Sequence, residues 1–167
     1  GKMGFAIAKA FLESGAKVYL VSGPVDLKLE HPNLSLYHVN SALEMESKSM
    51  EIFQKCDIAV LAAAVSDYRP KKTEKQKIKK QDSKELTLEL IENPDIALSL
   101  AKVKKNNQIV LGFALETENL EKNAKEKLIK KNFDLIVMNQ ANDKDSGFGH
   151  DTNKISILDK HNNLRDI

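Results

Sequence analysis

Eight consecutive apolar residues, Ile58-Ala59-Val60-Leu61-Ala62-Ala63-Ala64-Val65, constrain this chain more than any other segment. The run is too short to span a bilayer, which takes about 20 residues as a helix. It starts after Asp57 and stops at Ser66-Asp67, so it predicts a strand buried on both faces of a parallel sheet. A parallel strand needs a crossover on each side, and the flanking sequence supplies helical patterns.

Before it, Met3, Ile7 and Phe11, with Ala6, Ala10 and Leu12, predict a helix facing its core through those residues. Gly15 stands where a left-handed cap is needed. Lys17 to Ser22 reads as a strand ended by Gly23-Pro24, and Leu34 to Val39 as a second. Ser41 and Glu44 form a capping box for a helix with Met45, Ser49, Ile52 and Phe53 inward.

After it, Leu86, Leu88 and Leu90 alternate with polar residues, as in a half-buried strand. Asn93 as cap and Pro94 as first helical residue open a helix with Ile96, Leu100 and Val103 inward. Gln108 to Phe113 is the next strand. Thr117 caps a helix with Leu120, Ala124 and Leu128 inward. Phe133 to Met138 and Lys154 to Leu158 are the last strands, with a loop, Ala141 to Asn153, between them.

The fold class is therefore α/β: a Rossmann-like open, mostly parallel sheet with helices on both faces. Its 167 residues suit one domain, 1–167, with no repeat or linker. A helix is the first recognisable element, whereas in a Rossmann-like half a strand and its phosphate turn precede that helix. The domain thus reads as lacking both.

Composition narrows the function classes. Net charge is +2, which by itself says little about nucleic acid; neither nucleic acid nor a membrane is expected as a partner. The single cysteine, Cys56, excludes an internal disulfide and reads as a buried structural thiol, in keeping with a cytoplasmic setting. Nothing at the start resembles a secretory segment. His31, His38, His150 and His161 show no metal-ligand spacing, and Gly1 and Gly4 are too weak a pair for a dinucleotide fingerprint.

Charge is concentrated in one place. Arg69, Lys71, Lys72, Lys75, Lys77, Lys79 and Lys80 crowd around one acid, Glu74. The segment from about 66 to 84 is polar, contains Pro70 and reads as a mobile basic flap. Such a lysine run is either simply solvated or able to close over a polyphosphate.

In open parallel sheets ligands bind beyond the carboxyl ends of the strands. Ala62, Ala63 and Ala64 lie at such an end, where small side chains admit either a flat ligand or a tightly packed helix. Asp67 just beyond suits a ribose hydroxyl, a metal or a plain turn. On the helix after Thr117, Lys122, Lys125 and Lys130 each follow a glutamate by four residues, a favourable pairing. Lys131 instead follows Lys127, a like-charge stack costing roughly 0.2–0.5 kcal/mol. Either an anionic ligand offsets that cost or solvent tolerates it.

Taken in order, these motifs resemble the phosphopantothenate–cysteine ligase family. The match runs through Gly1-Lys2-Met3-Gly4, Val21-Ser22-Gly23-Pro24, Ala62 to Pro70, Lys77-Ile78-Lys79-Lys80 and Asn93-Pro94-Asp95. It continues through Gly112-Phe113-Ala114, Glu116-Thr117, Asp134 to Val137 with Asn139, Gly147-Phe148-Gly149 and Asp151-Thr152-Asn153. Each motif alone is weak; the ordered set is specific. Leu115 and Gln140 depart from the family pattern.

The resemblance implies an acyl-nucleotidyl intermediate made from CTP with Mg2+ or Mn2+, then amide formation with cysteine. It implies nucleotide contacts from Ala62, Ala63, Ala64, Asp67, Lys77, Asn93, Pro94, Asp95, Phe113, Lys127 and Lys131. Lys77 carries the catalytic role, Ala63, Ala64 and Asn139 line the phosphopantothenate side, and Asp67 is the metal candidate. A homodimer and a flavin-dependent decarboxylase, fused or separate, are the implied partners. An NAD(P)-binding Rossmann oxidoreductase and a non-catalytic nucleotide-binding module are the alternatives. The first needs a glycine turn and an acid after the second strand, and the second leaves the joint presence of flap, alanines and Asn-Pro-Asp unexplained.

Overall fold

The computed structural model describes residues 1–74, 76, 78, 86–116, 120–140 and 155–167, apart from the side chains at 115, 116, 120, 139 and 140. Part of the expected flap, including Lys77, lies outside the described residues. So do Thr117, the expected cap, and the loop 141–153.

Helix α1 (Lys2–Glu13) ends as the sequence demands. Gly15 takes φ +82, its amide donates to Leu12 O at 2.9 Å, and the Ala16 amide donates to Phe11 O at 3.0 Å. That pair of bonds is a Schellman closure. The buried face differs from expectation: Phe5, Ala8 and Leu12 are buried, while Ala6 and Ala10 are exposed. Each stripe carries one phenylalanine, and it is the one through Phe5, Ala8 and Leu12 that packs inward, with Phe11 only partly covered.

Strand β1 (Val18–Ser22) pairs in parallel with β2 (Leu34–His38). Helix α2 (Ala42–Phe53) starts at Ser41, whose hydroxyl accepts from the Glu44 amide at 3.2 Å. The Asn40 amide in turn donates to Glu44 Oε2 at 2.9 Å, one residue earlier than the expected box. β3 is Ile58–Leu61 only.

The expectation for the apolar run is corrected in two ways. The strand stops at Leu61, because the alanines that follow have poor strand propensity and little area to bury. Nor is it buried on both faces: Ile58 is 43% exposed, since β3 pairs only with β6 among the described strands.

β4 (Tyr68–Pro70) and β5 (Leu90–Glu92) form an antiparallel ribbon by themselves. The half-buried strand expected at Leu86, Leu88 and Leu90 is also corrected. Only Leu90 of the three lies in β5, and the side chains are 68%, 61% and 58% exposed, because nothing further covers the ribbon or the segment leading into it among the described residues.

Helix α3 (Ile96–Val103) is capped by Asp95, not Asn93, and Val103 is exposed rather than inward. β6 (Ile109–Glu116) runs three residues further than expected. Then come α4 (Leu120–Lys130), β7 (Leu135–Gln140), β8 (Ile155–Asp159) and an unanticipated β9 (Leu164–Asp166).

The central sheet has the order β3-β6-β7-β8-β9, parallel through β7 and antiparallel beyond it. The mixed α/β class with helices on a mostly parallel central sheet is as expected. One core joins these parts: Phe53 of α2, Leu100 of α3, Ala124 and Leu128 of α4, Val110 and Ala114 of β6, Ile136 and Met138 of β7, and Leu158 of β8. Cys56 packs against it and donates to Ile52 O at 3.3 Å; burial pushes the thiol up, as befits a structural cysteine. Among the described residues no helix is long and apolar enough to cross a membrane.

The turn that ends α4 is tightly determined. Asn132 sits in the left-handed region at φ 49, and the Asn132 and Phe133 amides donate back to Ile129 O and Leu128 O. This turn drives the Phe133 ring into the sheet opposite Gly112, where an added Cβ would lie 2.2 Å from a ring carbon. Gly112 is therefore required by packing. The same turn fixes Lys131 at the point where α4 ends.

Candidate functional site

Beyond Leu61 the chain leaves the sheet through Ala62 to Asp67, runs up β4, returns down β5 and delivers Asn93, Pro94 and Asp95 to the start of α3. Short hydrogen bonds lock the outgoing and returning arms together. The Asn93 amide donates to Asp67 O at 2.7 Å, and Asn93 Nδ2 donates to Ser66 O at 2.8 Å. Arg69 Nη1 donates to Glu92 O and, at 3.3 Å, to Asn93 Oδ1. Ser66 Oγ donates to Tyr68 O at 3.0 Å. These bonds hold an irregular, largely exposed path in one arrangement.

Asp95 has two tasks. Its Oδ1 accepts from the Leu98 amide at 3.2 Å, which caps α3, and its Oδ2 lies 3.2 Å from Lys131 Nζ. The like-charge stack inferred for Lys127 and Lys131 thus has a counter-charge within the protein, from a residue far away in sequence. No external anion is needed to explain it.

The structure brings together Asp67, Asn93, Pro94, Asp95 and Lys131. Lys127 stands one turn before Lys131, whose amide donates to Lys127 O at 2.9 Å. Phe113 is near in register, because Leu61 pairs with Gly112 and Phe113 is the next residue of β6. Ala62 approaches α1, with a Cβ built on Gly4 only 3.8 Å from its own. That favours helix packing for Ala62, whereas Ala63, Ala64 and Asp67 are exposed and open to a ligand.

Asn139 lies on β7 opposite Leu115, a strand away, and its side chain is not among those described. Lys77 is not among the described residues. Sequence reasoning missed Arg69 and Ser66 as supports of the site. Their signal was only their place inside the stretch Ala62 to Pro70, since the contacts cross 24 and 27 positions of sequence.

An α/β chain that gathers polar side chains beyond the carboxyl end of a parallel strand is of the class that binds ligands at the open edge of its sheet. More specifically, it belongs to the DNA/pantothenate metabolism flavoprotein C-terminal domain family, whose model matches residues 1–167. It is 48% identical over 164 residues to a protein named cysteine/cysteine sulfinic acid decarboxylase, from an unknown prokaryotic organism, covering 98% of this chain and 45% of that one. It is 41% identical over 167 residues to the coenzyme A biosynthesis bifunctional protein CoaBC of Bacillus subtilis strain 168, covering 100% of this chain and 41% of that one. The crystal structure of the C-terminal domain of a CoaBC protein matches with a TM-score of 0.81 at 34% identity, covering 100% of this chain and 72% of that chain. The chain thus spans less than half the length of these curated relatives.

Proposed function

We propose that this chain carries the ligase activity of coenzyme A biosynthesis, joining 4'-phosphopantothenate to L-cysteine at the expense of CTP. The observation that best supports this is the junction of Asp67, Asn93, Asp95 and Lys131 beyond β3, three residues from two motifs of the resemblance and one of its two helix lysines. In the first half-reaction the phosphopantothenate carboxylate attacks the α-phosphorus of CTP, and the bond to the β-phosphate breaks to release pyrophosphate. In the second the cysteine amine attacks the acyl carbon, CMP leaves, and the amine loses a proton as the amide forms.

In this reading Asn93 to Asp95 and Phe113 flank the base and ribose, while Lys127 and Lys131 face the triphosphate. Ala63 and Ala64 let the reacting groups approach the backbone, and Asn139 lines the phosphopantothenate side. Mg2+ characteristically binds through phosphates, waters and only one or two carboxylates. Asp67 is the carboxylate offered, and among the described residues no group of three or more His, Cys, Asp or Glu could hold a metal alone. When bound, the cation neutralises triphosphate charge. A cytoplasmic setting belongs to the same reading, because cysteine stays reduced there. A decarboxylase acting after the ligase, fused to it or separate, is the proposed functional partner.

The nucleotide is tested by thermal unfolding. At about 100 times its dissociation constant a ligand adds roughly 2.7 kcal/mol, and in a chain of this size each kcal/mol raises Tm by about 2–4 °C. CTP with Mg2+ should therefore raise Tm by about 5 °C or more, with a smaller shift from ATP at equal concentration. A shift from NADP and none from CTP would favour an oxidoreductase.

We propose also that the protein is a homodimer joined through the β4–β5 ribbon and the segment leading into β5, where exposed Leu86, Leu88, Leu90 and Tyr68 support it. Sedimentation of the full-length protein should give a dimer that Leu88→Glu converts to monomer. A dimer unaffected by that change would put the contact elsewhere.

A further inference from the structure

The resemblance gives Arg69 no role, and among the described residues of the basic cluster it is the one turned inward. Its guanidinium donates to Glu92 O and to Asn93 Oδ1 at 3.3 Å. With Oδ1 engaged by a cation, the Asn93 amide is oriented so that Nδ2 faces Ser66 O at 2.8 Å. The Asn93 backbone amide closes on Asp67 O at 2.7 Å. Arg69 therefore sets which way Asn93 points, and Asn93 sets the spacing between the Ser66-Asp67 arm and the Pro94-Asp95 arm. Asp95 passes the constraint on to Lys131 through their 3.2 Å ion pair.

This wiring bears on recognition. With one lone pair of Oδ1 taken by Arg69 and one hydrogen of Nδ2 by Ser66, the Asn93 side chain is held in a single orientation. Discrimination between bases then falls to its remaining donor and acceptor and to the neighbouring backbone groups, which keep set directions only while the two arms stay locked. We infer that Arg69 is a positioning residue for nucleotide specificity, acting through Asn93 on the segment that flanks the base. This rests on the proposed reading that residues 93–95 hold the nucleotide. Both bonds leave from one nitrogen, Nη1, which an ammonium matches in kind, but the shorter lysine side chain restores them only in part.

The test compares Arg69→Met, Arg69→Lys and Glu89→Gln in the full-length protein. Glu89→Gln breaks the exposed Lys71–Glu89 pair at 3.0 Å on the same ribbon without touching Asn93. Steady-state rates are measured with CTP and with ATP, along with Tm and pyrophosphate binding by calorimetry.

For Arg69→Met the expected result is a rise of about tenfold in KM for CTP, the loss of one charge-assisted hydrogen bond. The ratio of kcat/KM for CTP over ATP should fall by a similar factor, with kcat within about threefold and pyrophosphate binding intact. Arg69→Lys should recover part of the ratio, and Glu89→Gln should match the wild type. An unchanged ratio in Arg69→Met, whatever happens to Tm, overturns the inference. If that variant does not fold, the ratio in Arg69→Lys decides in the same way. A wild type that prefers another nucleotide sinks the CTP reading, and the Arg69 comparison then runs between that nucleotide and CTP.

Discussion

Asp134→Ala should unfold roughly 10 °C below the wild type, without a matching loss of activity at temperatures where both are folded. Asp134 stands just before β7, at the end of the parallel strands away from the candidate site. Its carboxylate accepts from the Val110 amide at 2.8 Å, from Lys104 Nζ at 2.5 Å and from Lys160 Nζ at 2.9 Å. Its own backbone bonds Val110 O and the Lys160 amide. One residue so joins the end of α3 to β6, β7 and the exit of β8.

The side chains of Lys104 and Asp134 are only 8% and 11% exposed. Removing the acid leaves an ammonium buried without its counter-charge, a loss of about 3–5 kcal/mol. At about 2–4 °C per kcal/mol that gives the stated shift. Burial pushes the Asp134 carboxyl up, but the hydrogen bonds from Lys104, the Val110 amide and Lys160 outweigh it and hold it below the usual carboxylate range. A carboxyl depressed in the folded state stabilises above the unfolded value of about 3.9, and the contribution fades as pH falls through the folded value. The Tm gap between wild type and Asp134→Asn should therefore be full at pH 7 and shrink below about pH 4. A gap absent at pH 7, or growing in acid, would show that Asp134 does not act through its charge.

What could be read from the sequence was mostly local. Gly15 needed only its own backbone to be recognised as a left-handed cap, and Ser41 needed only Glu44. Ala124 and Leu128 were placed inward by helical spacing and are buried. The errors arose where distant residues decide. Leu86, Leu88 and Leu90 have the alternation of a strand with one covered face, yet alternation does not say that anything covers it. Asn93 and Asp95 are equally good caps by residue type. Arg69 settles the choice by engaging Asn93, which leaves Asp95 to cap α3 and to pair with Lys131. The candidate site was legible as a set of motifs, while its internal wiring was not, because the bonds that lock the two arms and the pair between Asp95 and Lys131 join segments far apart in sequence.

Lys77→Gln should lower turnover by about 10²-fold or more in the full-length protein, the usual cost of losing one positioned electrostatic group. The expectation rests on the motif Lys77-Ile78-Lys79-Lys80 and on the chemistry of the proposed first half-reaction. As the carboxylate attacks the α-phosphorus, negative charge builds on the phosphoryl oxygens and on the departing pyrophosphate. A lysine reaching that charge stabilises the transition state more than the bound nucleotide, so its removal acts on kcat and leaves affinity nearly unchanged. Glutamine keeps much of the length and a hydrogen-bond donor but removes the charge, which isolates the electrostatic contribution. The pairing of Lys131 with Asp95 sharpens the contrast with Lys77. A lysine already held by a carboxylate contributes less net charge than one facing the phosphates alone, so Lys131→Gln should weaken CTP binding by less than Lys77→Gln slows turnover. The check is pyrophosphate release in a single turnover, with CTP binding measured by calorimetry on the same protein. Near-normal release from Lys77→Gln would take this residue out of the chemistry and leave the lysine run as a solvated surface.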